Sequence, residues 1–372
     1  MKVLLLSQIA VVDYKYTFSL ANALRKQGNE VELVIDDKKD NDYCKCKCYN
    51  KFLTSRKDIG KVKKLLNYCS SYRFVVKKAV EEGFDIVHVQ WFQFSPIDYH
   101  YLKKLKKRGV KLVVSVHDIL PFNAKFYDLA YHKKIYALCD HIIVQAKSNI
   151  KRFDDMFPED SKKVTFVPHG HFLDFAEKID KTVSREHLGI PHDKKVFLFF
   201  GQIKKVKGVD VLLKAFADLV EKDKDAYLII AGSVWKADFH ECEEFIAAHD
   251  FDGRLKTDIR YIPDEEVKYY YSAADVCVLP YTDVYQSGVI QLAYGYQKPV
   301  VCSNLPAFTQ FVHEGETGFI SEAGDPESLE SAMMRALESG ELEEIGKAGY
   351  ELVKKTLNWD DLAKKIVNEC YR

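Results

Sequence analysis

Short apolar runs, many of them β-branched, recur through the chain: KVLLL, EVELVI, DIVHVQ, KLVVSV, HIIVQ and VTFVP. Amphipathic stretches such as FSLANALRKQG and YHYLKKLKKRG separate them. Apolar strands without strict alternation, each followed by a helical period, predict a parallel sheet covered by helices on both faces. After Pro168 the pattern lapses into a polar, irregular segment, residues 169–195, which reads as a linker. Beyond it the alternation restarts with VFLFF, AYLIIAG, IRYI, DVCVLP and PVVC. The two halves open alike, MKVLLLSQ and KKVFLFFGQ, and 372 residues suffice for two cores. The expectation is an α/β protein of two Rossmann-like, doubly wound domains, residues 1–178 and 179–354. Ligands bind outside the carboxyl ends of such strands, which places the expected site in a cleft between the domains. The amphipathic run from Asp325 to Tyr371 is expected to pack across both domains.

Two loops carry the chemistry that the pattern suggests. In VFLFFGQIKKVKGVDVLLKAF, residues 196–216, a buried strand breaks at Gly201, passes Lys204, Lys205 and Lys207, and enters a helix after Gly208. In DVCVLPYTDVYQSGVIQLAYGYQKPVVCS, residues 275–303, a strand and a polar loop lead into a helix that starts near Ser287 and Gly288. Unpaired backbone N–H groups and the positive end of the helix dipole favour an anion at each start. Together the loops suit a diphosphate, with the lysines as mobile point charges.

The formal charge is zero overall but unevenly spread. Residues 1–178 hold 32 Lys+Arg against 21 Asp+Glu, a net of +11, and the remainder is −11. The basic excess concentrates in residues 51–78 and 101–109, where lysines alternate with apolar residues at near-helical spacing. That face suits either solvent or an anionic membrane surface. Nucleic acid is not expected as a partner, because the whole chain is neutral and shows no reader motif. No apolar run approaches the roughly 18 residues of a membrane span, and Asp13 and Lys15 interrupt the N-terminal run too early for a secretory signal. A cytoplasmic protein, free or peripheral on the inner face of the membrane, is expected. Nine cysteines, an odd number, do not make a complete disulfide framework. CKCKC at 44–48 lacks paired C-x-x-C spacing and reads as a reduced loop or edge strand, not a metal site.

Six segments in order carry a family resemblance: SVHD (115–118), VPHG (167–170), FFGQIKKVKG (199–208), LIIAG (228–232), IPDEEVKYYYSAADVCVLPY (262–281) and QKPVVCS (297–303). The chain resembles glycosyltransferase family 4, retaining enzymes of the GT-B fold, over nearly its whole length. The resemblance implies an acceptor-binding first domain, a second domain for a nucleotide sugar, and a final helix, about 355–372, that returns to the first domain. His117 and Asp118 match a His-Asp pair facing the donor sugar, and KLVVSV independently delivers these residues to a strand's carboxyl end. His169 is implied to shape the edge of the site. Lys207 matches a diphosphate-binding lysine in the loop that opens at Gly201. Gln202 stands where many members carry Arg, so Lys204 or Lys205 is left to supply a second charge, without the bidentate fork. Most members also carry two glutamates separated by seven residues. Here the matching positions, Val284 or Tyr285 and Leu292 or Ala293, have no carboxylate. The resemblance is therefore to a subgroup in which a Gln-Ser-Gly loop offers the amides of Ser287, Gly288 and Val289 to the phosphates. Gly232, Ile262, Asp283 and Gln286 are implied to contact the sugar or nucleotide.

The implied reaction moves a hexose from a UDP- or GDP-sugar to a glycan or lipid-linked acceptor, in cell-surface polysaccharide synthesis. Retention without a protein nucleophile implies front-face displacement, with the protein supplying positioning and charge. No carboxylate pair at hydrolase spacing is apparent. No metal cofactor is expected, since lysines and helix starts offset the diphosphate charge. Two rival readings are a nucleotide-sugar epimerase of similar architecture and a catalytically silent sugar- or lipid-binding protein.

Overall fold

The computed structural model describes residues 1–36, 43–56, 58–121, 124–235, 239–285 and 287–372, leaving aside the side chains of residues 10–12. The chain forms two compact units, Met1–Gly170 with Leu357–Arg372, and His171–Thr356.

The first unit contains β1 (Lys2–Ser7), β2 (Glu30–Ile35), β3 (Lys47–Asn50), β4 (Ile86–Val89), β5 (Lys111–Val116), β6 (His141–Val144) and β7 (Val164–Phe166). They form one parallel sheet in the order β3-β2-β1-β4-β5-β6-β7. The order reverses at β1, which pairs with β2 on one side and β4 on the other. Val3, Leu4, Leu5 and Leu6 are all fully buried, as a strand covered on both faces requires. Two basic helices, Lys61–Glu81 and Ser95–Lys107, cover the stretches where the sequence concentrates lysine. The returning segment belongs to this unit. It begins with a capped helix, Trp359–Ile366: the side chain of Asn358 accepts from the backbone N–H groups of Asp360 and Asp361. Trp359 lies so close to Gly170 that a Cβ there would sit 2.3 Å from the indole ring. At the far end the Tyr371 hydroxyl meets His88 Nδ1 at 2.6 Å.

The second unit contains β8 (Lys195–Phe200), β9 (Ala226–Ala231), β10 (Leu255–Asp258), β11 (Val276–Leu279), β12 (Val300–Ser303) and β13 (Gly318–Ser321), parallel in the order β10-β9-β8-β11-β12-β13. β8 occupies the position that β1 holds in the first sheet, which is why the two halves open alike in sequence.

Two sequence expectations change, and the edge-strand reading of CKCKC holds. IRYI is not a strand: β10 is the preceding LKTD, a short edge strand whose charged residues suit a sheet border, and residues 259–263 form the loop after it. The supposed linker is structured. Within it Asp180 caps the helix Lys181–Leu188 by accepting from the Val183 N–H, and buried Arg185 pairs with Asp275 at 2.8 Å, anchoring the segment to the second unit. The CKCKC stretch leads into β3, with Cys48 on the strand and Cys44 Sγ 3.7 Å from Cys48 Sγ. Among the described residues no group of three or more His, Cys, Asp or Glu is placed to hold a metal ion, and no described helix is long and apolar enough to cross a membrane.

Candidate functional site

At the carboxyl end of β8 the chain turns through Gly201, whose φ is 134°. A Cβ on Gly232, at the end of β9, would lie 1.8 Å from the Gly201 carbonyl oxygen. Gly232 therefore lets two strand ends meet backbone to backbone, a packing task that any side chain would block. Gln202 and Lys204 are half-buried and Lys205 is exposed. Residues Lys205–Lys207 make one tight helical turn, and Gly208, with φ 66°, starts the helix Val209–Lys222. A Cβ on Gly208 would lie 1.9 Å from the Pro280 carbonyl oxygen. The same contact brings the Lys207 ammonium 3.6 Å from the Tyr281 ring centroid and lets the Thr282 N–H donate to Val206 O at 3.0 Å.

The loop after β11 is thus fixed to the loop after β8. It continues to Ser287, which sits at the start of the helix Gly288–Gly295. Val289, in the first turn of that helix, reaches back to β8: its Cγ2 would be 3.7 Å from a Cβ at Gly201. Both anion-facing helix starts predicted from sequence therefore lie together at the topological switch point of this sheet. Burial pushes the Tyr281 phenol up, and the Ser287 hydroxyl beside it opposes the shift. Asp283 turns its carboxylate on its own loop, accepting from Val284 N at 2.8 Å. Gln286 lies outside the described residues. Ile262 is buried in the loop after β10, next to Tyr261, which is 60% exposed. Val284, Leu292 and Ala293, where the family resemblance puts carboxylates, are buried and apolar. Sequence reasoning passed over Gln291 beside them, which is 1% exposed and whose Oε1 has no hydrogen-bond partner among the described residues.

In the first unit the buried strands end in polar residues. β5 runs into His117, buried, and then Asp118, half-buried. The His117 ring stacks on Trp91, with centroids 4.4 Å apart and planes 8° from parallel, and the edge of Tyr16 meets it at 4.8 Å. His117 Nε2 lies 3.4 Å from Gln90 Oε1 and 3.7 Å from Asp13 Oδ2. The Trp91 Nε1–H donates to the same Asp13 oxygen at 2.9 Å. Burial holds His117 well below the ordinary imidazole range, with His169 and His88 adding to the effect. The ring is therefore neutral at neutral pH and acts through hydrogen bonds, not charge. Burial raises Asp13 to about 7 against the opposing Trp91 hydrogen bond. His169 donates from Nδ1 to Gly170 O at 2.7 Å, and burial lowers it to about 4. Among the described residues, Ser7 Oγ, Gln8 Oε1 and Gln90 Nε2, all buried at these strand ends, have no hydrogen-bond partner.

Asp13, Tyr16, Gln90 and Trp91 were missed from sequence. The available signal was the polar residue that closes each apolar strand, as in LLLSQ, IVHVQ and VVSVHD. Asp13 registered only as a break in the N-terminal apolar run.

Two family models account for most of the chain: "Glycosyltransferase Family 4" matches residues 15–175 and "Glycosyl transferases group 1" residues 180–352. The chain belongs to the family-4 type of glycosyltransferases. Among curated relatives, a D-inositol 3-phosphate glycosyltransferase from Corynebacterium urealyticum is 27% identical over 63% of this chain and 56% of its own length. An uncharacterised glycosyltransferase from Methanocaldococcus jannaschii is 28% identical over 63% of this chain and 60% of its own. The chain spans about half of the length of the curated relatives it matches. Solved structures match in fold: sucrose-phosphate synthase from Thermosynechococcus elongatus has a TM-score of 0.77 at 18% identity, covering 99% of this chain and 98% of that one. Anabaena HepE in complex with UDP-glucose has a TM-score of 0.76 at 15% identity, with the same coverage. The two parallel sheets and these neighbours make the fold GT-B. The carboxylate pair expected of most such glycosyltransferases is absent from the matching positions here, as the sequence indicated.

Proposed function

We propose that this glycosyltransferase is a retaining enzyme that moves a hexose from a UDP- or GDP-sugar to a glycan or lipid-linked acceptor in cell-surface polysaccharide synthesis. The observation that carries the reading is the joined pair of loops at the β8/β11 switch point, where two helix starts and Lys207 converge. In this reading the amides of Ser287, Gly288 and Val289 receive the diphosphate, assisted by the helix dipole. Lys207, with Lys204 or Lys205, offsets its charge, while Gly201 and Gln202 line the turn. Gly232 and Ile262 flank the nucleotide, and Asp283 or Gln286 contacts the sugar. The first unit takes the acceptor, and neutral His117 with Asp118 positions the reacting sugar. The acceptor hydroxyl attacks C1 from the face the diphosphate leaves, the C1–O bond to phosphate breaks, and the departing phosphate oxygen takes the hydroxyl proton. No resident metal is required by this scheme, because lysines and oriented amides supply the positive field.

The neighbour solved with UDP-glucose supports a UDP-sugar as the first donor to try. A thermal-shift screen of UDP, GDP and their sugars tests the donor, since a ligand that binds only the folded protein raises its stability. No shift with any nucleotide would reject the diphosphate site. Incubation with labelled nucleotide sugars then separates transfer to acceptor, conversion of the free donor, and neither.

A peripheral position on the inner membrane face is part of the proposal. The helix Lys61–Glu81 exposes Val62 (72%) and Leu66 (67%) near exposed Lys61 and Lys63, and Lys103, Lys104 and Lys107 are exposed on the helix Ser95–Lys107. Lys78, counted with this basic stretch in sequence, is instead buried and paired with Glu32 and Glu82, each at 2.7 Å. Co-sedimentation with phosphatidylglycerol but not phosphatidylcholine vesicles, weakening with salt, is expected. Equal binding to both, or none to either, would reject it.

A further inference from the structure

Between the basic helices Lys61–Glu81 and Ser95–Lys107 the first unit carries a groove of about 220 Å³. The first helix lines it with Arg73, Val76, Lys77, Val80 and Glu81, whose three- and four-residue steps make one stripe on a helix. Tyr101 and Lys104 line it from the second helix, with Arg108 just past that helix's end. Tyr101 is buried and stacks on Tyr72, with ring centroids 5.3 Å apart, so it forms with Val76 and Val80 an apolar floor. Exposed cations rim that floor.

These cations differ from their neighbours in lacking counter-charges. Elsewhere on the same helices Lys78 is paired with Glu32 and Glu82, and Lys106 with Asp140 at 2.5 Å. In the groove Lys77 lies 3.9 Å from Glu81, but among the described residues no carboxylate lies within ion-pair distance of Arg73, Lys104 or Arg108. Basic residues at a helix's carboxyl end complement its dipole, which accounts for Lys104 and Arg108. It does not account for Arg73, about two turns before the end of its helix. Unpaired like charges beside a low-dielectric wall focus a positive potential that an anion relieves. The stripe also continues: the same steps back from Arg73 reach Cys69, Leu66 and Val62, and Leu66 and Val62 are exposed. A helix face that runs from exposed aliphatic side chains to unpaired cations suits an amphiphilic anion. Both helices end just before β4 and β5 begin, so the groove lies toward the amino edge of the parallel sheet, opposite the strand ends that carry Gln90 and His117. Its ligand is therefore not the sugar acceptor.

We propose that this groove binds the phosphodiester headgroup of an anionic phospholipid. Arg73 and Arg108 offer planar guanidinium forks to the phosphate from the two helices, Lys104 adds a point charge, and the apolar floor takes the start of an acyl chain. The proposal rests on the peripheral membrane position given above and replaces diffuse attraction to the surface with a shaped headgroup site.

Calorimetry of the full chain with dihexanoyl-phosphatidylglycerol below its micelle concentration tests the groove, because a monomer gains nothing from the field of a charged bilayer. Two double variants separate local from diffuse binding: Arg73→Gln with Arg108→Gln inside the groove, and Lys61→Gln with Lys63→Gln outside it. All four side chains are exposed, so the thermal midpoints should stay close to native. We expect the native chain to bind the monomer, and the groove pair to lose at least about tenfold in affinity while the outer pair keeps it. Glycerol 3-phosphate, which lacks the acyl chains, should bind at least about tenfold more weakly than the lipid. No monomer binding, equal losses in the two pairs, or equal affinity for glycerol 3-phosphate overturns the proposal. Co-sedimentation with phosphatidylglycerol vesicles shows which reading has failed. A native chain that sediments but does not bind the monomer keeps the peripheral position and loses the groove; one that does not sediment at all loses both.

Discussion

Replacing Gly208 with Ala tests the junction on which the proposed diphosphate site depends. Gly208 has φ 66° and ψ 32°, and its added Cβ would lie 1.9 Å from Pro280 O and 2.9 Å from Pro280 C, both backbone atoms that no rotamer change can move aside. Gly189, which ends the helix Lys181–Leu188, has nearly the same backbone, φ 66° and ψ 37°, but nothing within 4 Å of its added Cβ. Gly189→Ala therefore carries only the left-handed conformational cost, about 1–2 kcal/mol. Gly208→Ala carries that cost plus the displacement of one loop from the other, by analogy with overpacking about 1–3 kcal/mol more. The displacement also separates Lys207 from Tyr281 and breaks the Thr282–Val206 hydrogen bond. Urea denaturation of both variants gives the stability difference, and calorimetry with UDP and GDP gives the binding difference. Gly208→Ala is expected to be the less stable of the two and to lose nucleoside diphosphate affinity, while Gly189→Ala keeps it. Equal destabilisation with equal affinity would refute the claim that close backbone approach builds this site.

Lys207→Ala is expected to weaken nucleoside diphosphate binding by about 1.5–3 kcal/mol with the fold intact, since it removes a charged donor and no core volume; unchanged calorimetric affinity would rule out the assigned phosphate contact. His117→Ala should lower kcat far more than donor affinity, and a parental rate would make His117 a packing residue only. His169, lowered to about 4 in the folded chain against an ordinary 6.5, binds its proton more readily when unfolded. Native protein should therefore lose stability relative to His169→Gln as pH falls from about 6.5 toward 4, by on the order of 3 kcal/mol, and parallel pH–stability curves would contradict this.

The alternation of apolar and amphipathic stretches determined the fold class, because a strand buried on both faces has no polar alternative and its crossover to a parallel neighbour must span a helix. It also placed the two helix starts at Gly208 and Ser287, since glycine, serine and a returning apolar period leave a local mark. The missing glutamates were equally legible, being a matter of residue identity alone. Local pattern failed where partners decide the outcome. IRYI has strand propensity, yet the ladder with β9 ends at Asp258, paired with Ala231, and leaves it as a loop. The segment 169–195 looked irregular because what orders it, the Arg185–Asp275 pair, joins residues far apart in sequence. Gly201 and Gly232 resemble ordinary turn glycines until the fold presses their backbones together. Asp13 and His117 lie on separate elements, and only the sheet order, with β1 beside β4 and β4 beside β5, brings a helix start, a tryptophan and an imidazole to one edge. Chemistry carried by a residue type was in the sequence; chemistry carried by a distance needed the tertiary structure, because no local rule fixes which strand ends become neighbours.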